Sequence, residues 1–176
     1  MVPLIETARL RLRGCRESDL EPQAEMLRDA EVVRHLGGSP LAREETWRRM
    51  MAARGLWEVL GYGYWVVERI EDGAYLGSVG FVDSKRDMTP SIEGIPEMGW
   101  IFAPHAQGQG YAREAVAAGI EWADEALGRR ELVAIISHGN DASIRLADKC
   151  GFGLREEAVY NGEPILLFRR PAPFGT

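Results

Sequence analysis

Residues Phe102–Val116 run FAPHAQGQGYAREAV, with Gly108 and Gly110 flanking a single glutamine just ahead of a helix-forming stretch. Glycine has no Cβ, so positive φ angles are open to it and a ligand can approach its backbone closely. The first amides of a helix lack internal partners and lie at the positive end of its dipole. Gln107, Gly108, Gln109, Gly110, Tyr111 and Ala112 thus read either as an anion cradle suited to a pyrophosphate or as a tight strand-to-helix turn that needs glycine only for its shape. Two other phosphate loops fail on spacing. A G-x-G-x-x-G dinucleotide fingerprint would need glycine where Arg113 stands, and a P-loop would need Lys and then Ser or Thr after its last glycine.

Other reactive side chains are sparse. Two cysteines, Cys15 and Cys150, are too few for a disulfide framework, and His35, His105 and His138 are scattered without ligand spacing, so no metal is expected. Cys150 follows Lys149 at the end of a short helix, where the dipole disfavours a thiolate; packing is expected there rather than an acyl-enzyme. Asn140 and Ser143 stand three apart at the start of that helix, and Asn140 has the side chain of an N-cap. A net charge of −6 speaks against nucleic acid. No run approaches the ~18 apolar residues of a membrane span, and MVPLIETARLRLRG lacks an apolar leader, so neither a membrane nor export is expected and a cytoplasmic setting fits.

These groups need elements to position them. ARLRLRG alternates as a strand does, and Ser18 and Glu21 have capping-box spacing, which starts a helix near Asp19 that runs to about Leu36. A second helix follows Ser39-Pro40. GYGYWVVERI and GAYLGSVGFVD form a hairpin around EDG, and the polar connection SKRDMTPSIEG leads to a strand, PEMGWIFAP, closed by Pro104. A long helix from about Gln109 to Leu127 ends at Gly128, ELVAIIS reads as a buried central strand, and a short helix runs from Asn140 to Gly151. Strands LREEAVY and PILLFRR, joined around Asn161-Gly162, finish the chain. With no repeat and no linker, residues 1–176 read as one mixed α/β domain in the order β, α, α, β, β, β, α, β, α, β, β.

That order, with the glycine loop after the fourth strand, resembles the GNAT acyltransferase superfamily. Its acyl-CoA signature is Gln or Arg, two residues, Gly, one residue, then Gly or Ala; Gln107, Gly110 and Ala112 fit it. GYAREAV, the segment NDASIRLADKCGF with Asn140, Ser143, Lys149, Gly151 and Phe152, and the opening ETARLRLRGCRESDLE are similar to the branch of ribosomal-protein N-terminal acetyltransferases. The resemblance spans Glu6 to Phe152. It implies a single GNAT-like α/β domain with a mixed, mostly antiparallel sheet of about six to seven strands flanked by about four helices.

It also implies an N-acetyltransferase in which an amine attacks acetyl-CoA directly, with acetyl-CoA as cosubstrate. The Gln107–Ala112 loop would hold the pyrophosphate, and the edge of Trp100, Ile101 and Phe102 would align the pantetheine like an added strand. Asn140 would contact the pantetheine while capping its helix, and Ser143 would lie near the sulfur as hydrogen-bond donor or acid. Glu97 stands where that branch often carries an acidic residue. It is a general base acting through water, or else a structural or substrate-binding carboxylate; Glu93 and Asp83 are secondary candidates. Tyr111 is a looser acid candidate that is expected to pack. The acceptor is a primary amine, first a protein or peptide α-amino group and second a small-molecule amine such as a metabolite or antibiotic. A non-catalytic CoA-binding domain is the rival class, and a homodimer stays open.

Overall fold

Alternating apolar residues and glycine-marked turns give the chain its strands, and the computed structural model, which describes residues 1–173, assembles nine of them into one sheet. In chain order the elements are β1 (Ile5–Glu6), β2 (Leu10–Arg13), α1 (Leu20–Arg28), α2 (Ala30–Val33), α3 (Arg43–Val59), β3 (Tyr64–Arg69) and β4 (Tyr75–Val82). There follow β5 (Met88–Thr89), β6 (Glu97–Phe102), α4 (Tyr111–Ala126), β7 (Leu132–Ile136), α5 (Asp141–Lys149), β8 (Leu154–Tyr160) and β9 (Glu163–Arg170). Across the sheet the strands lie in the order β1-β2-β3-β4-β6-β7-β9-β8-β5.

The sheet is mixed and mostly antiparallel, as expected, with two more strands than the seven read from sequence. The additions are β1 and β5, two residues each, at the two edges. Two residues are too few for alternation to register. Five α-helices replace the expected four because the stretch from Asp19 to Leu36 splits. Asp29 turns extended, and its side chain accepts from the Glu31 amide, ending α1 and capping α2. The expected Ser18–Glu21 capping box is not formed. The Asp19 carboxylate accepts from the Arg16 amide at 2.7 Å, while Glu21 bonds to Arg43.

One sheet face packs on α4, where Trp65, Phe81, Met98 and Val116 are buried and Trp57, Trp65 and Trp122 meet edge to face at 4.8–5.4 Å between ring centroids. On the other side, Met26 and Leu27 of α1 pack with Val66 of β3 and Tyr75 of β4. The join that matters for function is β6 to β7. It is the one parallel pairing, and it holds at a single register position, Glu97 opposite Val133, with the Val133 amide donating to Pro96 O at 3.1 Å. By contrast β4 and β6 pair at six positions, and β7 and β9 at five. Beyond Glu97 the two central strands part.

Candidate active site

The parting leaves a wedge. Trp100 and Ile101 line one wall, and Ile135, Ser137, Asn140 and Ser143 line the other, within a cavity of about 790 Å³. The cavity continues beneath α1 and α3, where Gln23, His35, Arg49 and Leu56 border it. Expected groups therefore meet here from β6, the β7–α5 turn and α5. Phe102 is buried at the strand's far end, next to the glycine loop.

In that loop Gly108 has φ 74° and Gly110 φ 81°, and Gly110 is the N-cap of α4. Glu114 donates to Gly110 O at 3.1 Å, so the amides of Tyr111, Ala112 and Arg113 are those that helix geometry leaves open. The side chains brace the loop from within: Gln107 Nε2 donates to Phe102 O at 3.3 Å, and Gln109 Nε2 to His105 O at 2.7 Å. The two glycines shape the turn that opens α4. Tyr111 is buried, its ring under the Arg9 guanidinium at 4.5 Å, so it packs.

Asn140 caps α5 through Oδ1, which accepts from the Ser143 amide at 3.2 Å. Ser143 Oγ accepts from Trp100 Nε1 at 3.2 Å and so bridges the two walls of the wedge. The hydroxyl keeps its own proton for another partner.

Glu97 lies at the closed end of the wedge, 5% exposed. Arg86 holds both of its oxygens, Nε to Oε2 at 2.6 Å and Nη2 to Oε1 at 2.9 Å, and stacks on Tyr160 at 4.8 Å. Burial alone would lower Arg86; the Glu97 carboxylate outweighs it and pushes the guanidinium above its ordinary value. The secondary carboxylates are elsewhere. Asp83 binds Lys85 Nζ at 2.6 Å and the Gly94 amide at 3.1 Å; burial pushes it up, but these bonds bring it below the usual range. Glu93 is exposed, 3.6 Å from Lys85. Neither lines the cavity.

Cys150 is half-buried after α5, and burial raises its thiol, as it does that of Cys15. Among the described residues no group of three or more His, Cys, Asp or Glu could hold a metal ion, and no helix is long and apolar enough to cross a membrane.

Four residues at the site carry no local signal in the sequence. Arg86 sits in a polar connection, Tyr64 in a strand, Arg49 on a helix and Arg9 in the bend just before β2. Arg9 reaches a hundred residues along the chain, Nε to Glu114 at 2.7 Å and Nη1 to Gln109 O at 3.1 Å, and so pins the loop to the start of α4.

Comparison with known proteins gives the family and the fold. The family model described as an acetyltransferase (GNAT) domain matches residues 9–153. YoaA of Bacillus subtilis, an uncharacterized N-acetyltransferase, is 27% identical over 93% of each chain. YkkB of the same organism is 31% identical over 62% of this chain, and the match spans 63% of YkkB. A solved GNAT-family structure from Bordetella pertussis superposes with a TM-score of 0.83 at 28% identity, covering 96% of this chain and 99% of that one. The fold is shared with the spermidine N-acetyltransferase of Vibrio cholerae, solved with CoA and spermine (TM-score 0.71, 19% identical, 93% and 95% covered). It is shared also with the ribosomal-protein-S5-alanine acetyltransferase of Vibrio fischeri (0.69, 21%, 97% of each).

Proposed function

The chain belongs to the GNAT acetyltransferase family, and on that footing we propose that it moves an acetyl group from acetyl-CoA directly to a primary amine, with a peptide or protein α-amino group as acceptor. The observation that carries the reading is the wedge: β6 and β7 meet only at Glu97 and Val133, and the parted strand leads to a glycine-capped helix start. From Glu97 to Phe102 an extended strand runs about 17 Å. A pantetheine arm lying on that edge has a carboxylate at one end and open amides for its diphosphate at the other. The amides of Tyr111, Ala112 and Arg113 bind the anion, the Trp100–Phe102 edge aligns the arm, and Asn140 meets it from the opposite wall. Ser143, held by Trp100, offers its proton toward the sulfur. Glu97 receives the amine's proton through water, by the lone pairs that Arg86 leaves free.

Charge favours a singly charged acceptor. The cavity wall carries Glu97 and Glu163 against Arg49 and Arg86, and Glu97 is already matched by Arg86. A polyamine would find too few carboxylates. An α-amino group with a pKa near ~8 is roughly a tenth neutral at pH 7, against about one in 2,500 for a lysine near ~10.4, so it suits a site with a single base. The Vibrio fischeri enzyme, named for a protein's alanine, is consistent with this choice.

Calorimetry with acetyl-CoA, CoA and NAD, followed by turnover on an amine panel, tests the proposal. Acetyl-CoA and CoA should bind and NAD should not. Gly110→Asp should abolish binding, since it adds bulk and negative charge beside the diphosphate at a φ of 81°. Equal binding of NAD would reject the cosubstrate. Preference for N-blocked lysine peptides, polyamines or aminoglycosides over peptides with free N-termini would reject the acceptor alone.

A further inference from the structure

Tyr64 is the first residue of β3, and register explains its reach. It stands opposite Gly80 of β4, and Gly80 stands opposite Gly99 of β6. Two glycines in one row across neighbouring strands leave a groove on that sheet face. The tyrosine ring lies in it: a Cβ built at Gly99 would come within 2.5 Å of Tyr64 Oη and 3.3 Å of its Cε1 and Cζ. A Cβ at Gly80 would meet Gly63 O at 2.3 Å and Tyr64 Cα at 2.5 Å. Neither position accepts even alanine without displacing its neighbours.

The groove ends at the site. Gly99 is two residues beyond Glu97, and residues two apart on a strand share a face. Tyr64, Gly99, Glu97 and Arg86 all line the cavity. In the fold the Tyr64 hydroxyl makes no hydrogen bond to a described residue, and it is not sealed either, for among them the one buried side-chain polar atom without a partner is Tyr75 Oη. The Tyr64 hydroxyl is therefore presented to the cavity and holds nothing in the fold.

We propose that Tyr64 is a catalytic residue of the acetyl transfer, donating a hydrogen bond to the acetyl carbonyl oxygen as negative charge builds on it. The proposal rests on the acetyltransferase reading above. Burial first, and then the Glu97 charge, push the phenol up to about 12, with Arg49 and Arg86 opposing. It stays protonated throughout the working range. A thiolate, whose acid has a pKa near ~8.5, is too weak a base to take that proton, whereas a carbonyl oxygen gaining full charge calls for such a donor. In the balanced step the amine nitrogen bonds to the carbonyl carbon and the carbon–sulfur bond breaks, its electron pair leaving on sulfur. The amine's proton passes by water to Glu97, and the Tyr64 proton stays on its own oxygen. Ser143 remains the group placed for sulfur.

Tyr64→Phe tests this cleanly because the ring stays in its groove. Expected are a kcat about 100-fold lower, as for loss of one oxyanion donor, with unchanged acetyl-CoA affinity and thermal midpoint. The loss should be the same at every pH where the enzyme works. A kcat within about twofold of the parent, or a change confined to the acceptor's KM, would overturn the assignment. A readout free of turnover is the infrared carbonyl band of bound acetyl-CoA labelled with carbon-13. It should lie lower in the parent than in Tyr64→Phe, and equal frequencies would sink the proposal. A parent that fails to bind acetyl-CoA rejects the acetyltransferase reading and this proposal together. A parent that turns over while Tyr64→Phe does so equally well rejects Tyr64 alone.

Discussion

Glu97 does two things at one position: it is where β6 and β7 touch, and it is the carboxylate that Arg86 grips. Replacing it with glutamine keeps the shape and removes the carboxylate proposed as proton acceptor. Glu97→Gln should lower kcat on the order of 100-fold at neutral pH, with little change in acetyl-CoA binding. The loss should shrink as pH rises toward the acceptor's pKa, because a base matters less once the amine is already neutral. A flat pH profile of the deficit, or normal turnover at neutral pH, would pass the proton to bulk water. The place of Glu97 on its strand was legible in the sequence because PEMGWIFAP reads as a strand closed by proline. Arg86 was not, since eleven residues separate it from Glu97 across a polar loop. Tyr64 was hidden for a different reason: only the register of three strands shows that Gly80 and Gly99 lie in its path.

The helix α1, which borders the cavity, is anchored to the sheet by a buried ionic network. Arg13 of β2 donates to Asp19, just before α1, at 2.8 Å through each of two nitrogens, and to Glu68 of β3 at 2.6 Å. All three residues are buried. Together they tie the sheet to the start of the helix that brings Gln23 and Leu27 to the cavity. Arg13→Ala would leave Asp19 buried without its cation and Glu68 with Arg11 as its hydrogen-bonded cation, and should cost about 3–5 kcal/mol in urea unfolding. The network also gives a pH dependence. Burial pushes the Glu68 carboxyl up, but its bonds from Arg13 and Arg11 prevail and leave it lowered. Its stabilisation is thus complete above the unfolded value of ~4.3 and is lost as pH falls below that through the folded value. In Arg13→Ala this acid-side loss should be smaller; an unchanged slope below about pH 4.3 would show that Glu68 contributes nothing. Periodicity located every long element, yet it misread the entry to α1. Ser18 and Glu21 have the right spacing, but the Asp19 carboxylate accepts from the Arg16 amide and pairs with Arg13 at once, and that combination is invisible without the sheet.

At the scale of the molecule, the order of elements and the glycine loop were readable, and the seam between β6 and β7 was not. Residues that pair across it lie 36 positions apart, at Glu97 and Val133, and no local pattern says that two strands will touch once and diverge. Five strands lie on one side of the seam and four on the other. On the proposed reading, acetyl-CoA laid between them serves as brace as well as reactant. The part that braces, diphosphate and pantetheine, is the same before and after the acetyl group has gone. Spent coenzyme A should therefore compete with acetyl-CoA for the free enzyme at comparable affinity. Bond-making then sets the pace of turnover, as the kcat losses expected at Tyr64 and Glu97 require, and acetylated product should accumulate linearly from the first turnover. A first-turnover burst followed by a slower steady rate would mean that unloading sets the pace, and the losses at Tyr64 and Glu97 would then be read from single turnovers.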